Sequence, residues 1–230
     1  MKSKMIPLTL LALCISFISV KAQKSSAIIK GGVNLANVSI DEDGGIDDAR
    51  TLASFQVGVL ADLKLLPVLY FQPGIVFTGK GTKTETGDDD DATFYRATTN
   101  PYYLEVPMNI VFKTPGDNAR FFVGAGPYVA IGIAGKNKVE GAVLGTEFSS
   151  EEKIEWSNDD PTTSTEEGAG FGIMKRFDYG LNGLIGVETA NLVFSANYGH
   201  GLAKLQSGTD SDVDNNNKHR VFSFTLGIKL

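Results

Sequence analysis

The chain has almost none of the residues that build disulfide scaffolds. Cysteine occurs once in 230 residues, as Cys14. It lies in a segment that we predict is removed on export, so the mature chain would form no disulfide even in a compartment that permits them. Leu13 precedes Cys14, where acylated cysteines normally follow a small residue, and this argues against lipidation. We therefore expect packing and the hydrogen bonds of a sheet to hold the fold.

Long apolar runs are also scarce. Residues 1–22 have the pattern of a signal peptide, with two lysines ahead of an apolar run and the small Ala22 before the predicted cleavage point at Gln23. The remainder, 23–230, is predicted to be one domain and has no run of the roughly 20 apolar residues that a transmembrane helix needs. Removal of three lysines with the signal peptide shifts the formal net charge from −6 to −9. An acidic exported protein is a poor candidate for binding nucleic acid.

The chain has instead a repeated alternation of apolar and small or polar residues. From Phe222 to Leu230 every second residue is large and apolar, which gives a strand one oily face and one polar face. Eight stretches show this pattern, at 28–38, 52–65, 68–79, 102–113, 121–133, 177–187, 192–202 and 220–230. Each is long enough for the roughly 9–11 residues of a tilted membrane-spanning strand. We predict an all-β protein, an eight-stranded antiparallel up-and-down transmembrane β-barrel with its oily faces toward lipid.

The connections between these stretches alternate strictly between long and short. They lie at 40–51, 66–67, 80–101, 114–119, 134–176, 190–191 and 203–219. Membrane barrels have short periplasmic turns and long extracellular loops, whereas a soluble sandwich has no reason to alternate in this way. An even number of strands would place both ends of the barrel domain on the periplasmic side.

Charged residues of both signs fall on the predicted inner face. They are Lys30, Asp62, Lys64, Glu105, Lys113, Asp178, Glu188 and Lys229. An eight-stranded barrel is just wide enough inside for side chains, so these charges must pair. We predict a structural plug of salt bridges in the lumen, with Lys30, Glu105 and Asp178 as a mid-barrel pairing set. The functional alternative is a narrow or gated pore.

Several motifs resemble the PorT-like outer-membrane β-barrel family, the small eight-stranded barrels of Gram-negative envelopes. The matching segments are Lys30-Gly31-Gly32-Val33-Asn34-Leu35-Ala36-Asn37, Phe71-Gln72-Pro73-Gly74-Ile75 with Lys80-Gly81, Tyr103-Leu104-Glu105-Val106-Pro107, Gly124-Ala125-Gly126-Pro127-Tyr128 and Phe177-Asp178-Tyr179-Gly180-Leu181-Asn182. The resemblance implies the fold and an outer-membrane location, and hardly any molecular activity. The chain departs from the family at Gly74, where relatives often carry an acid, and at Leu230, where membrane barrels often end in an aromatic residue.

The predicted loops are acidic, and oxygen-rich clusters suit Ca²⁺. The clusters are Asp41-Glu42-Asp43 with Asp47-Asp48, Asp88 to Asp91, Glu151-Glu152 with Asp159-Asp160 and Glu166-Glu167, and Asp210, Asp212 and Asp214. The last copies the start of an EF-hand loop, but Val221 stands where the bidentate glutamate belongs. Solvated loops that repel one another explain these clusters better. We expect neither a metal site nor another cofactor.

Catalysis is not expected either. His200 with Ser195 or Asp178 could be imagined as an acyl-transfer set, but no spacing supports it. We predict that the protein is not an enzyme and has no catalytic residues. Trp156, the single tryptophan, is expected to pack the longest loop rather than to anchor a partner.

The sequence therefore predicts an outer-membrane barrel with a structural, plugged lumen and loops that carry recognition. The alternatives are a narrow pore or a component of an envelope protein-export apparatus, and a soluble lipocalin-like ligand-binding barrel with oily residues inside. The expected partners are outer-membrane lipid, the barrel-assembly machinery through the C-terminal strand, and an unidentified extracellular or envelope partner through the long loops.

Overall fold

Thirteen β-strands make up the regular structure of the protein in a computed structural model that describes residues 25–39, 49–86, 93–116, 118–157, 173–205 and 217–230. The strands are β1 (Ser26–Ser39), β2 (Ala49–Arg50), β3 (Leu52–Lys64), β4 (Leu69–Gly79), β5 (Thr82–Thr86), β6 (Phe94–Lys113), β7 (Arg120–Val143), β8 (Thr146–Lys153), β9 (Glu155–Trp156), β10 (Ile173–Met174), β11 (Phe177–Glu188), β12 (Leu192–Gly201) and β13 (Lys218–Lys229). The predicted signal peptide lies outside the described residues, as do most of the acidic clusters, including Asp210, Asp212 and Asp214.

Eight of these strands close into a ring. Hydrogen-bonded neighbours follow the order β6-β4-β3-β1-β13-β12-β11-β7, and β7 pairs again with β6. All eight pairings are antiparallel. The predicted up-and-down barrel is confirmed, and its closing contact is the one between β1 and β13, where Ile28 faces Lys229 and Val38 faces His219. A closed ring leaves none of the eight strands with an unpaired edge inside the barrel.

The two faces of the barrel are chemically opposite, as predicted. Ile75, Phe121 and Ile185 point outward and are 58–66% exposed. Asn34 and Gln72, on the inner face, are buried. The soluble lipocalin-like alternative requires the reverse arrangement, and it is wrong on this point. An apolar outer surface with a polar interior is the pattern of a barrel in lipid.

The strands end differently at the two ends of the barrel. At the lower end, which we define by the short turns, β3 and β4 are joined at 65–68 with the backbone of Leu65 bonded to Leu69. Thr189 and Leu192 close the turn between β11 and β12 in the same way. Thr114 receives a backbone bond at the turn between β6 and β7. These three short turns agree with the predicted ones.

At the upper end, two predicted loops are wrong in part, because they contain long strands. The region 80–101 holds β5 and the first part of β6, and 134–176 holds the end of β7 with β8, β9 and β10. β2 (within the predicted loop 40–51), β5, residues 94–101, residues 134–143 and β8 form a five-stranded sheet that continues beyond the ring. We call it the extension sheet. A register shift at Tyr102/Tyr103 separates it from the barrel, as a β-bulge does where a strand changes its course.

The part of the chain that the structure describes contains no helix with the length and apolarity required to span a membrane.

Candidate functional site

The lumen is filled in layers, and the lowest layer is an ion-pair network that we call the lower cluster. It consists of Asp62, Lys113, Arg120, Glu188 and Lys229. The Lys113 ammonium lies 2.7 Å from a carboxylate oxygen of Asp62 and 2.7 Å from one of Glu188. Lys229 approaches the same two acids at 3.3 and 3.4 Å, and Arg120 lies 3.3 Å from Glu188. Asp62 and Glu188 are both buried, so their charges depend on these three cations.

Neutral side chains hold the lower cluster in place. The amide of Gln72 donates to Asp62 at 2.8 Å. The ring of Tyr70 lies under the Lys113 ammonium, 4.1 Å from it, and its hydroxyl accepts from Arg120 at 3.2 Å. Next to the lower cluster, apolar side chains from seven of the eight barrel strands form a belt across the lumen. The belt consists of Ile28, Leu60, Tyr70, Val76, Val111, Phe122, Leu184 and Val193.

A second network, which we call the upper cluster, lies nearer the upper end. It consists of Lys80, Glu105, Tyr128 and Asp178. The Lys80 ammonium lies 2.7 Å from Glu105 and 2.8 Å from Asp178, and 4.0 Å from the centre of the Tyr128 ring. Tyr128 donates its hydroxyl to Asp178 at 3.1 Å, and Asn182 donates to Glu105 at 3.1 Å. One cation therefore holds two buried carboxylates.

Lys30 lies between the two clusters on the inner face of β1. Its neighbours in register are Gly58 and Gly227, which leave room for the long side chain. Among the described residues no carboxylate lies within salt-bridge distance of Lys30. Glu105 and Asp178, the two acids predicted to pair with it, are bridged by Lys80 instead. Lys30 lines two small cavities of about 40 and 20 Å³. The larger of them has room for a few water molecules.

An apolar cluster, which we call the cap, packs through Trp156 against the inward-facing Tyr103 and Tyr128 in the upper lumen. It consists of Val38, Ile154, Trp156, Met174 and Leu205. The indole ring of Trp156 lies edge-on to Tyr103, with 5.5 Å between ring centres, directly over the backbone of Gly132. Backbone bonds from Ile154 to Gly135 and from Lys175 to Leu205 tie the cap to the barrel and to the chain around it. The prediction that Trp156 packs its own loop is confirmed.

Six of the eight predicted lumen charges lie in the two clusters. Of the other two, Lys30 lines the cavities, whereas Lys64 lies at the last position of β3, exposed. Sequence reasoning missed Lys80 and Arg120, which lie one position outside the predicted stretches 68–79 and 121–133. Both continue the inner-face alternation of the strand next to them, and that phase could have identified them.

Of the side chains considered for catalysis, Asp178 and Ser195 are hydrogen-bonded to other residues and not to His200. Asp178 is held by Lys80 and Tyr128, and the Ser195 hydroxyl pairs with Thr225 at 2.6 Å. His200 lies at the upper end of β12, beside Tyr198. His219 is buried under the cap, with its Nε2 3.2 Å from the Tyr103 hydroxyl. Within the described ranges no three His, Cys, Asp or Glu residues are grouped as a metal ion would require.

Lys113 and Lys229 contact the same two acids, and we expect them to differ in their contribution to stability. Lys113→Met should lower the free energy of unfolding by about 2–3 kcal/mol. It leaves the buried carboxylates of Asp62 and Glu188 with only Lys229 and Arg120, which balance their charge in part. Lys229→Met should cost less than about 1 kcal/mol, because Lys229 is partly exposed and its contacts are longer. Urea unfolding followed by the gel mobility of folded and unfolded barrel measures both. Equal losses in the two variants would contradict this order.

The family of the chain follows from its sequence over most of this barrel. Residues 21–207 match the family model described as outer membrane protein beta-barrel domain. The chain belongs to this family. It is an outer membrane protein, and its apolar outer face is the surface that this barrel family turns to lipid. Among curated proteins, none matches the chain.

Solved barrels are similar to the chain only remotely. Ail of Yersinia pestis is 13% identical with a TM-score of 0.38, covering 90% of this chain and all of its own. Neisserial surface protein A is 13% identical with a TM-score of 0.42, over 90% of this chain and 99% of its own. OprG of Pseudomonas aeruginosa is 12% identical with a TM-score of 0.42, and the match covers 90% of this chain and 95% of OprG. The family assignment rests on the sequence match and on the closed ring, not on these similarities.

Proposed function

We propose that this barrel is a structural anchor with a closed lumen, and that it presents the extension sheet for recognition at the cell surface. The observation that carries the proposal is the cap, because it closes the upper end above two ion-pair layers and an apolar belt. The cavities beside Lys30 in the described part of the lumen are small, about 40 and 20 Å³. Lumen charges that are bonded to one another at 2.7–2.8 Å support a packed interior rather than a pore.

Single-channel recording tests the closed lumen. Full-length protein purified in detergent and added to a planar bilayer should give no stable ion conductance, because the lumen is filled at three levels. A steady conductance that scales with salt concentration would contradict the proposal and favour the narrow pore. Membrane insertion is checked in the same sample by the resistance of the barrel strands to added protease.

The single tryptophan gives a direct measurement of the cap. A side chain at Gly132 would meet the Trp156 ring, since a Cβ built there lies 2.3 Å from it. We expect Gly132→Leu to displace the ring, to shift its fluorescence to longer wavelength and to raise its quenching by iodide about twofold or more. Gly183→Leu is the matched control, because nothing lies within 4 Å of a Cβ at Gly183, and its quenching should equal that of the wild type. Equal quenching in all three proteins would show that Trp156 does not seal the lumen.

We also propose that residues 1–22 are removed on export and that the chain is a PorT-like barrel without enzymatic activity. The motifs around Lys30-Gly31-Gly32 and Gly124-Ala125-Gly126 support a place among PorT-like barrels. Two lysines followed by an apolar run support removal of residues 1–22 on export. The alternating C-terminal strand β13 supports recognition by the barrel-assembly machinery. The bonded positions of Ser195 and Asp178 support a protein without enzymatic activity.

A further inference from the structure

The extension sheet ends in a strand with one unpaired edge. β8 is the last strand of the sheet and pairs only with β7 within the described residues. All eight of its residues are exposed. Strand edges of this length are ready templates for another strand unless charge, a bulge or a covering element blocks them.

The turn that starts β8 determines which of its backbone groups point to the open edge. Leu144 and Gly145 both have positive φ angles, of 51° and 79°, which identifies a two-residue type I′ turn closed by Val143 and Thr146. In an antiparallel pair every second residue bonds to the neighbouring strand. Thr146 and the even-numbered residues after it therefore bond to β7. The odd-numbered residues from Glu147 to Lys153 direct their N–H and C=O groups to the open edge.

The charges along that edge are partly unpaired. The Lys136 ammonium of β7 forms an ion pair with Glu151 and donates a hydrogen bond to it. This hydrogen bond lowers the pKa of the Glu151 carboxyl. Lys153 faces Lys136 across the hairpin. Neither Glu147 nor Lys153 has an ion-pair partner among the described residues. A strand that placed an acid beside Lys153 and a base beside Glu147 would satisfy both.

A second copy of β8 meets both requirements in one register. Antiparallel pairing through the open edge must set odd-numbered residues opposite odd-numbered ones. With Ser150 opposite Ser150, Glu147 faces Lys153 of the other copy, and this pair occurs twice by symmetry. The registers shifted by one allowed step set Glu147 opposite Glu151, or Glu151 opposite itself, and like charges directly opposite are unfavourable. A parallel two-fold pairing would also place Glu147 beside Glu147.

We infer that β8 is a self-recognition edge that pairs antiparallel with β8 of a second copy, with the Glu147 and Lys153 pairs fixing the register. The inference rests on the proposed function of the extension sheet. β8 runs back toward the barrel, so an antiparallel partner strand runs the opposite way and belongs to an inverted barrel. The second copy therefore sits in a facing membrane. Residues 134–143 alone reach about 30 Å along the strand, and with Ser150 opposite Ser150 the two extensions overlap side by side over most of this length.

Vesicle bridging with charge-reversed variants tests the pairing. Full-length protein is reconstituted into two populations of phosphatidylcholine vesicles that carry different fluorophores, and co-clustered vesicles are counted. Wild-type vesicles should cluster with each other. Glu147→Lys and Lys153→Glu should each reduce clustering about tenfold, because each variant sets like charges opposite at both ends of the pair.

Mixing the two variants gives the decisive measurement. A Glu147→Lys copy facing a Lys153→Glu copy regains opposite charges at both positions, so mixed populations should cluster like the wild type. The control variant Glu152→Lys changes the charge by the same amount at a position that faces Phe148 in this register, and it should cluster normally. Wild-type vesicles that do not cluster, or a mixture no better than the single variants, would overturn the inference.

Disulfide formation at position 150, which faces itself in the proposed pairing, tests the register directly. In a Cys14→Ser background, Ser150→Cys places two thiols opposite each other at a position that is not hydrogen-bonded between the two copies, where Cα atoms lie about 4.5 Å apart, within disulfide range. Oxidation of clustered vesicles should give disulfide-linked dimers of Ser150→Cys and none of Ser149→Cys. Dimers of both, or of neither, would contradict the register. These outcomes are independent of conductance: a closed barrel that does not cluster refutes self-pairing alone, whereas a conducting barrel refutes the closed lumen.

Discussion

Replacing Lys80 with methionine should lower the free energy of unfolding by about 3–5 kcal/mol, one of the largest losses available in this barrel. Lys80 is the only cation within salt-bridge distance of Glu105 and Asp178 in the described structure, at 2.7 and 2.8 Å. Its removal leaves two buried carboxylates with one hydrogen bond each, from Tyr128 and Asn182, but without a cation. Leaving a buried charge without its ion-pair partner costs about this much. Lys30, with no carboxylate in contact, can compensate only in part. Urea titration of the folded barrel measures the loss.

Two comparisons separate this effect from a general loss of charge. Lys138→Met removes a lysine from an exposed pair with Glu140 and should change the free energy by less than about 1 kcal/mol. Adding Glu105→Gln and Asp178→Asn to Lys80→Met removes the two carboxylate charges that lost their cation. The triple variant should recover most of the stability. A Lys80→Met variant as stable as Lys138→Met would show that the upper cluster does not stabilise the fold.

The strands and their facing were predictable because lipid imposes a strict rule. A strand in a bilayer must turn an apolar side chain outward at every second position, so β13 shows the pattern from Phe222 to Ile228 without a break. The pattern shows which alternate residues of each strand face outward, and the residues between them therefore face the lumen. The ring order then follows from short connections between antiparallel neighbours. For this reason the barrel could be predicted from alternation and loop lengths alone.

The extension sheet could not be predicted in this way because water removes the rule. Outside the bilayer neither face of a strand needs to be apolar. Thr82–Thr86 is polar on both faces, and Thr146–Lys153 is polar except at Phe148. Such segments have the composition of loops. What pairs them is the continuation of β6 and β7 beyond the rim, which is a tertiary effect and leaves no period in the sequence.

The clusters in the lumen were predictable in membership and not in pairing. The inner-face phase identifies which charges enter the barrel, but the stagger between strands decides which of them meet. The turns set the register between neighbouring strands, with Val76 opposite Glu105 and Tyr179 opposite Val129. This stagger brings Lys80 close to Glu105 and Asp178. The sequence places Lys30 with the same two acids in one mid-barrel set, and the observed stagger leaves it beside the cavities.

Gly126→Ala should prevent much of the barrel from closing, which is the second large effect that we expect. Gly126 lies on the inner face of β7, where a Cβ would stand 2.1 Å from the backbone oxygen of Met108 and 2.7 Å from the Cα of Asn109. Both are backbone atoms of β6, so no rotamer change can relieve the contact. β6 and β7 would have to separate at this point to admit the methyl group. Overpacking of this kind costs about 1–3 kcal/mol, and more where the backbone cannot shift.

Gly183→Ala provides the matched control for this steric argument. It is the same substitution on the neighbouring strand β11, where Gly183 faces Ala125, next to Gly126, and a Cβ there meets nothing within 4 Å. The fraction of protein that migrates as folded barrel on an unheated gel should fall several-fold for Gly126→Ala and stay at the wild-type level for Gly183→Ala. Equal folding of the two variants would mean that β6 and β7 can move apart at this level. In that case it is the ion pairs across the lumen, rather than the close approach of the backbones, that hold the wall of the barrel together.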